Sequence, residues 1–101
     1  MTGVAFHPEA EAEMTASAVW YEERCAGLGS DFLAEVESAA SRIADSPEAW
    51  AIVTGDIRRH LLHRFPFGIL YRADRNRIYI LAVMHLHREP HYWEHRIPPS
   101  T

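Results

Sequence analysis

The stretch RIYILAVMH, residues 77–85, decides the fold. It is apolar almost without interruption from Ile78 to Met84, so a strand built from it has two apolar faces and belongs in the interior of a sheet. The preceding DRN, residues 74–76, has the residue types of a tight reversal. GILYRA, residues 68–73, lies on the other side of that reversal and predicts a second strand. The sequence therefore places two consecutive strands at the centre of the protein.

Upstream of these strands the periodicity changes twice. IRRHLLHRF, residues 57–65, predicts a strand of basic character, and PFG, residues 66–68, is a turn signal after it. Residues 48–56 form a connector that Trp50 and Ile52 are expected to pin to the core. The C-terminal half therefore predicts three strands in succession.

The N-terminal half predicts a short strand and two helices. GVAFH, residues 3–7, is an apolar strand, and Pro8 then takes the first position of a helix that ends near residues 26–27. Ser30 is the predicted N-cap of a second helix, which ends at residues 46–47. A short turn joins the two, so they form an antiparallel hairpin. The predicted apolar faces are Ala10, Met14, Ala18, Tyr21 and Cys25 on the first helix, and Phe32, Leu33, Val36, Ala39, Ala40 and Ile43 on the second.

The predicted fold class is α+β, in the order β-α-α-β-β-β. An N-terminal helical hairpin packs on a small antiparallel sheet, and a short C-terminal helix begins at Pro90, after Glu89. Trp93 is the expected packing anchor of that terminal helix. A length of 101 residues is enough for one modest core, so residues 1–101 are expected to form a single domain.

Composition narrows the class of protein. No stretch approaches the roughly 20 apolar residues that span a bilayer, and the N-terminus lacks a secretory signal, so a cytoplasmic protein that contacts no membrane is expected. The single cysteine, Cys25, excludes an internal disulfide and a multi-cysteine zinc site. Glycine-rich phosphate loops and hydrolase motifs are also absent from the sequence.

The charges are divided between the two halves of the chain. Residues 1–56 hold eleven acidic residues against two arginines, whereas residues 57–101 hold eight arginines against three acidic residues. All ten basic residues are arginines, which bind carboxylate or phosphate with a planar pair of donors. This asymmetry indicates a polyanionic partner or an acidic protein partner.

Four histidines in MHLHREPHYWEHR, residues 84–96, raise the question of a metal site. His85 and His87 suit one face of a strand, and His91 and His95 suit one face of a helix. The proline between the two pairs turns the chain, and no cysteine completes a ligand set. We therefore predict no metal and no cofactor.

Two kinds of chemistry stay open from the residues alone. Metal-independent RNA cleavage needs a base, cations on the phosphate and an acid. Arg64 and Arg72, with His85, His87 or His91 nearby and Tyr71 or Tyr92 to stack or donate, could supply them. A protein-binding surface needs arginine and aromatic anchors, which Arg88 and Trp93 are candidates to supply.

The segment RRHLLHRFPFGILYRADRNRIYILAVMHLHREPHYWEHR, residues 58–96, resembles the C-terminal half of the RelE/ParE toxin superfamily of bacterial type II toxin–antitoxin modules. The matching pieces are RFPFGILYR, ILAVMH and the ending from His85 to Arg96. In the first half, WYEER and LGSDFLAEVESAASRI agree as well. The resemblance is closest to the ParE-like, plasmid stabilisation branch, and the predicted element order is the fold of this superfamily.

The resemblance implies a small toxin held inactive by a cognate antitoxin. The acidic C-terminal segment of that antitoxin would wrap along the helical hairpin and the sheet, giving a hetero-oligomer. ParE-like members poison DNA gyrase without catalytic residues of their own, and this is the leading prediction for the present chain. The residues expected to bind antitoxin or target are Arg58, Arg59, Arg64, Tyr71, Arg72, Arg88, Trp93 and Arg96.

The alternative is a RelE-like mRNA interferase, a ribosome-dependent endoribonuclease. Its catalytic residues would be Arg64, Arg72 and His85. The absence of lysine departs from the lysine-rich sites of RelE ribonucleases, whereas the long helical hairpin and the REPHYW ending favour the ParE-like branch.

Overall fold

A computed structural model describes residues 3–98. Its elements are β1 (Gly3–Phe6), α1 (Pro8–Arg24), α2 (Leu28–Asp45), β2 (Ala51–Thr54), β3 (Ile57–Leu61), β4 (Phe67–Asp74), β5 (Arg77–His85) and a 3-10 turn (Glu94–Arg96). The two helices form a hairpin on one face of the sheet, which confirms the predicted α+β class. None of the helices within residues 3–98 has both the length and the apolar character needed to cross a membrane.

The sheet has five strands in the order β1-β5-β4-β3-β2. β5 is hydrogen-bonded on both edges, as its apolar faces predict, and it pairs antiparallel with β4. β1 pairs with β5 in parallel, so the sheet is mixed and not wholly antiparallel. The two helices between β1 and the later strands provide the long connection that parallel pairing requires.

The strand β2 is a feature that the sequence did not predict, since residues 48–56 were expected to be a connector. It has four residues and pairs only with β3, at one edge of the sheet. Trp50 packs against the core as expected, but Ile52 is 55% exposed, so its predicted role was wrong. Four residues are too few to show strand periodicity, and an edge strand leaves side chains in solvent.

The turn between the helices is tighter than predicted. α2 begins at Leu28, with Gly27 at φ 89° as its N-cap, and the predicted cap Ser30 lies inside the helix. The carboxylate of Glu22 accepts hydrogen bonds from the N–H groups of Gly27 at 2.8 Å and Gly29 at 3.0 Å. These bonds, that from Gly27 foremost, lower the pKa of Glu22. Cys25 lies beyond the end of α1 and is exposed, so its predicted place on the apolar face was wrong.

Apolar side chains cover both faces of the sheet. The larger cluster lies between helices and sheet and includes Phe32, Ile43, Phe67, Tyr71 and Ile80. The smaller cluster lies on the opposite face, which we call the far face, and consists of Ile57, Leu70, Leu81, Ala82 and Trp93. Trp93 is only 3% exposed, which confirms it as a packing anchor.

The C-terminal helix predicted from Pro90 does not form. Residues 88–93 are turns and coil, and His91 adopts a positive φ of 65°, which a helix does not tolerate. This reversal brings the chain back over the far face, where Glu94–Arg96 makes a single 3-10 turn. We call residues 91–98 the C-terminal strap.

The strap is tied to α1 by the mostly buried carboxylate of Glu13. Oε1 of Glu13 accepts from Arg96 Nη1 at 2.9 Å and from the Val83 N–H at 3.1 Å. Its Oε2 accepts from Arg96 Nη2 at 3.1 Å and from the Tyr92 hydroxyl at 2.5 Å. Arg96 also donates to the carbonyl of Leu81 at 3.0 Å. Burial, and then the bond to Glu13, raise the pKa of Tyr92, so its hydroxyl stays a donor.

A second buried polar group is the ring of His60 on β3. It is 3% exposed, and its centroid lies 4.1 Å from the ring of Trp50. Within residues 3–98, neither ring nitrogen of His60 has a hydrogen-bond partner. Burial is the main cause that lowers the pKa of His60, so the folded protein holds this ring neutral.

We expect Glu13→Gln to lower the free energy of unfolding by about 3 kcal/mol or more, because it leaves the buried Arg96 charge with only the longer contact to Glu9 at 3.7 Å. The exposed Glu37→Gln on α2 is the matched control and should change the stability by less than about 0.5 kcal/mol. Urea unfolding at pH 7 measures both. Equal effects of the two variants would contradict the role of Glu13.

We expect His60 to make the protein less stable in acid. Its folded pKa lies below the unfolded value, so the unfolded chain binds the extra proton and stability falls as pH drops through about 6.5. The loss from one site is at most about 1.4 kcal/mol per pH unit. His60→Leu should flatten the dependence of the urea midpoint on pH between 7.5 and 5.5, whereas the exposed His63→Leu should not.

Candidate functional site

An open apolar pocket of about 590 Å³ lies where α1 meets the strand ends of β4 and β5. One wall comes from α1, and the other comes from the start of β4 and the end of β5. The lining residues are Ala16, Ser17, Trp20, Tyr21, Pro66, Phe67 and His85. A concave apolar surface of this kind suits an apolar side chain from a partner.

Trp20 is a large side chain in the wall of the pocket, and it is 50% exposed. The Arg24 guanidinium stacks on its ring at 3.4 Å from the centroid and donates to its carbonyl at 3.1 Å. Sequence analysis did not single out Trp20, because it lies outside the apolar face predicted for α1. The sequence signal that could have identified it is the tryptophan itself, since a tryptophan outside the apolar face of a helix is an exposed apolar group.

His85 is placed by β5 at the rim of this pocket. Its ring packs edge-on against Phe67 at a centroid distance of 5.1 Å. Its Nδ1 accepts a hydrogen bond from the His87 N–H at 3.1 Å, which puts the ring proton on Nε2 when the ring is neutral. His85 thus joins the pocket as a polar group among apolar ones.

Arg64 lies in the loop between β3 and β4, beside Pro66 and Phe65. The carboxylate of Glu35 on α2 accepts from the backbone N–H of Arg64 at 3.1 Å and so holds the loop in place. The exposed guanidinium reaches Asp31 at 3.4 Å. It remains on the surface, and Arg64 is not among the residues that line the pocket.

Arg58 and Arg72 make contacts within the chain. Arg58 Nη1 donates to the carbonyls of Trp50 at 2.7 Å and Glu48 at 3.2 Å and so holds the residues that lead into β2. Arg72 Nε pairs with Asp56 at 3.1 Å. These two side chains therefore have intramolecular roles in this conformation.

Arg59 and Arg88 have no carboxylate within salt-bridge distance among residues 3–98. The stem of Arg59 lies flat over Gly68, where an added Cβ would sit 3.2 Å from it, and its head is exposed. Arg88 stacks on the ring of Tyr92, 3.9 Å from the centroid. Both present positive charge to solvent.

The remaining three predicted binding residues are buried. The Tyr71 hydroxyl donates to the carbonyl of Pro47 at 2.5 Å, and burial raises the pKa of Tyr71 to about 12. Trp93 belongs to the far-face cluster. Arg96, which pairs with Glu13, is 7% exposed. Their side chains offer a partner little surface.

The structure does not bring the three predicted catalytic residues together. His85 pairs with Phe67 at one end of β4, whereas Arg72 lies five residues further along that strand, about 16 Å away. Arg72 also points to the far face, as Leu70 does, while Phe67 faces the helices. Within residues 3–98, no three His, Cys, Asp or Glu side chains gather closely enough to hold a metal ion.

The fold has a counterpart among solved structures. The structure resembles a solved chain described as the chromosomal ParDE TA system from P. aeruginosa, with a TM-score of 0.61 at 18% sequence identity. The likeness covers 85% of this chain and 97% of that one, and at this identity it concerns the fold. No curated protein matches the sequence.

Residues 4–90 match the family model described as ParE toxin of type II toxin-antitoxin system, parDE. The match takes in β1 from Val4 onward, β2 to β5, both helices and the whole lining of the pocket. It confirms the resemblance drawn from the sequence. The chain belongs to the ParE toxin family of type II toxin–antitoxin systems.

Proposed function

We propose that this protein, acting as a single cytoplasmic domain, arrests growth by binding DNA gyrase and is neutralised by a cognate antitoxin with an acidic C-terminal segment. The observation that supports neutralisation by an antitoxin is the open apolar pocket between α1 and the ends of β4 and β5. Family membership supports a toxin–antitoxin pair, and the pocket supplies a surface on which such a partner can anchor.

The pocket suits an apolar anchor flanked by acidic residues. Trp20 and Phe67 offer ring surface, and interfaces are commonly held by one such buried anchor. Arg24 lies over the pocket wall, and Arg64 and Arg88 extend from the segments that border it in sequence. These exposed guanidinium groups would attract carboxylates and speed association.

The dispersal of the predicted catalytic residues favours a binding toxin over a ribonuclease. General acid–base cleavage needs its groups within hydrogen-bond reach of one reacting site. His85 on β5 packs against Phe67 at the start of β4, whereas Arg72 lies five residues further along β4 and on the other face, so the two cannot act on one phosphate in this conformation. Inhibition of gyrase by binding requires no such convergence, whereas the mRNA interferase alternative would require a large rearrangement.

We expect Trp20→Glu to weaken antitoxin binding at least ten-fold, because it removes the apolar wall and adds a charge that repels the acidic segment. Val19→Glu is the matched control, since Val19 is 53% exposed on the same helix and does not line the pocket. Calorimetric titration of purified toxin with the antitoxin encoded beside it gives both affinities. Equal weakening by the two variants would remove the pocket from the interface.

We expect the purified toxin to inhibit supercoiling by gyrase and to leave ribosome-bound mRNA intact. Expression without the antitoxin should arrest growth. The variants Arg64→Ala and His85→Ala separate the two targets, because both should abolish cleavage if the protein is a ribonuclease. Codon-phased cuts in mRNA that disappear in these variants would replace the gyrase proposal with the interferase one.

A further inference from the structure

The loop between β3 and β4, residues 62–66, forms one border of the apolar pocket. Pro66 lines the pocket directly, and Phe67 follows it as the first residue of β4. The loop is neither helix nor strand, so the regular ladder of the sheet does not set its position. Contacts from other elements must therefore hold Pro66 in the pocket wall.

One turn of α2 holds this loop from the helix side. Phe32 packs against the buried ring of Phe65 at a centroid distance of 5.1 Å. Glu35 lies three residues later and so on the same side of the helix. Its Oε2 accepts from the backbone N–H of His63 at 2.5 Å and from that of Arg64 at 3.1 Å. The half-buried carboxylate thus gives two consecutive N–H groups a charged acceptor, which makes stronger hydrogen bonds than a neutral one.

The strand end holds the other part of the loop. The Leu86 N–H, just beyond β5, donates to the carbonyl of Pro66 at 2.9 Å. The Phe67 N–H donates to the carbonyl of Phe65 at 2.8 Å, so the chain turns sharply at the proline. Pro66 comes only two residues after Arg64. A loop that leaves α2 at Arg64 therefore displaces the pocket wall as well.

We infer that Glu35 is a positioning residue of the pocket, which holds residues 63–66 so that Pro66 forms the wall before a partner binds. Glu35 does not itself line the pocket. A surface formed in advance does not have to be ordered on binding. When only a fraction of the molecules has the pocket formed, the apparent Kd rises by the inverse of that fraction. The inference rests on the proposed function, since it takes the pocket as the surface on which the antitoxin anchors.

Two variants of Glu35 separate its hydrogen bonds from its charge. Glu35→Ala removes the acceptor, whereas Glu35→Gln keeps a carbonyl oxygen that can accept from both N–H groups. Both variants lose the same negative charge, so a difference between them reports the hydrogen bonds. Glu37→Ala, which removes an exposed carboxylate of the same helix, is the control for the helix surface.

Amide hydrogen exchange of the toxin alone gives the first measurement. We expect Glu35→Ala to lower the protection of the Leu86 amide about ten-fold, because two charge-assisted hydrogen bonds that hold the loop are lost. Glu35→Gln and Glu37→Ala should stay within about two-fold of the wild type, and amides of β4 should be unchanged in all three. Unchanged Leu86 protection in Glu35→Ala, or an equal loss in β4, would overturn the inference.

Calorimetric titration with the antitoxin encoded beside the toxin gives the second measurement. We expect the Kd of Glu35→Ala to be at least about three-fold higher than that of Glu35→Gln. Equal Kd values for these two variants, with weakened binding by Trp20→Glu, would overturn the inference and leave the pocket in the interface. Unchanged binding by Trp20→Glu would instead count against the proposed function, and the Leu86 amide would still decide whether Glu35 positions the loop.

Discussion

The free edge of β5 beyond Ile80 is the constraint on which the rest of the structure depends. β1 pairs with β5 only as far as Ile80, and a register shift leaves Leu81 without a partner in β4. Leu81 and Val83 are almost completely buried, so an unpaired carbonyl or N–H there would cost about 1–3 kcal/mol each. Arg96 donates to the Leu81 carbonyl, and Glu13 accepts from the Val83 N–H. This charged pair thereby completes the edge of the sheet where β1 ends.

This constraint explains why α1 carries a mostly buried carboxylate. The helix keeps a carboxylate, Glu13, at a mostly buried position and a tryptophan, Trp20, at an exposed one. The first ties the C-terminal strap to the helix layer, and the second forms a wall of the pocket. Ala10 and Ala18 are small enough for α1 to pack closely on the core. One helix therefore connects the far face of the sheet to the candidate binding surface.

The arginines of the second half are divided between inside and outside. Arg58, Arg72 and Arg96 bind carbonyls or carboxylates of the same chain, whereas Arg59 and Arg88 present their charge to solvent. The positive balance of residues 57–101 thus overstates the charge available to an acidic partner. The number of arginines in the sequence therefore does not show which of them are exposed.

The sequence by itself determined the α+β class, the helical hairpin and the adjacent strands β4 and β5. These features depend on periodicity and turn residues within short segments, which can be read locally. Tertiary structure alone decided the parallel pairing of β1, the existence of β2, the shape of the strap and the pocket around Trp20. Their partners lie far apart along the chain, as Glu13 and Arg96 do, and hydrogen bonds between such distant groups leave no periodic trace in the sequence.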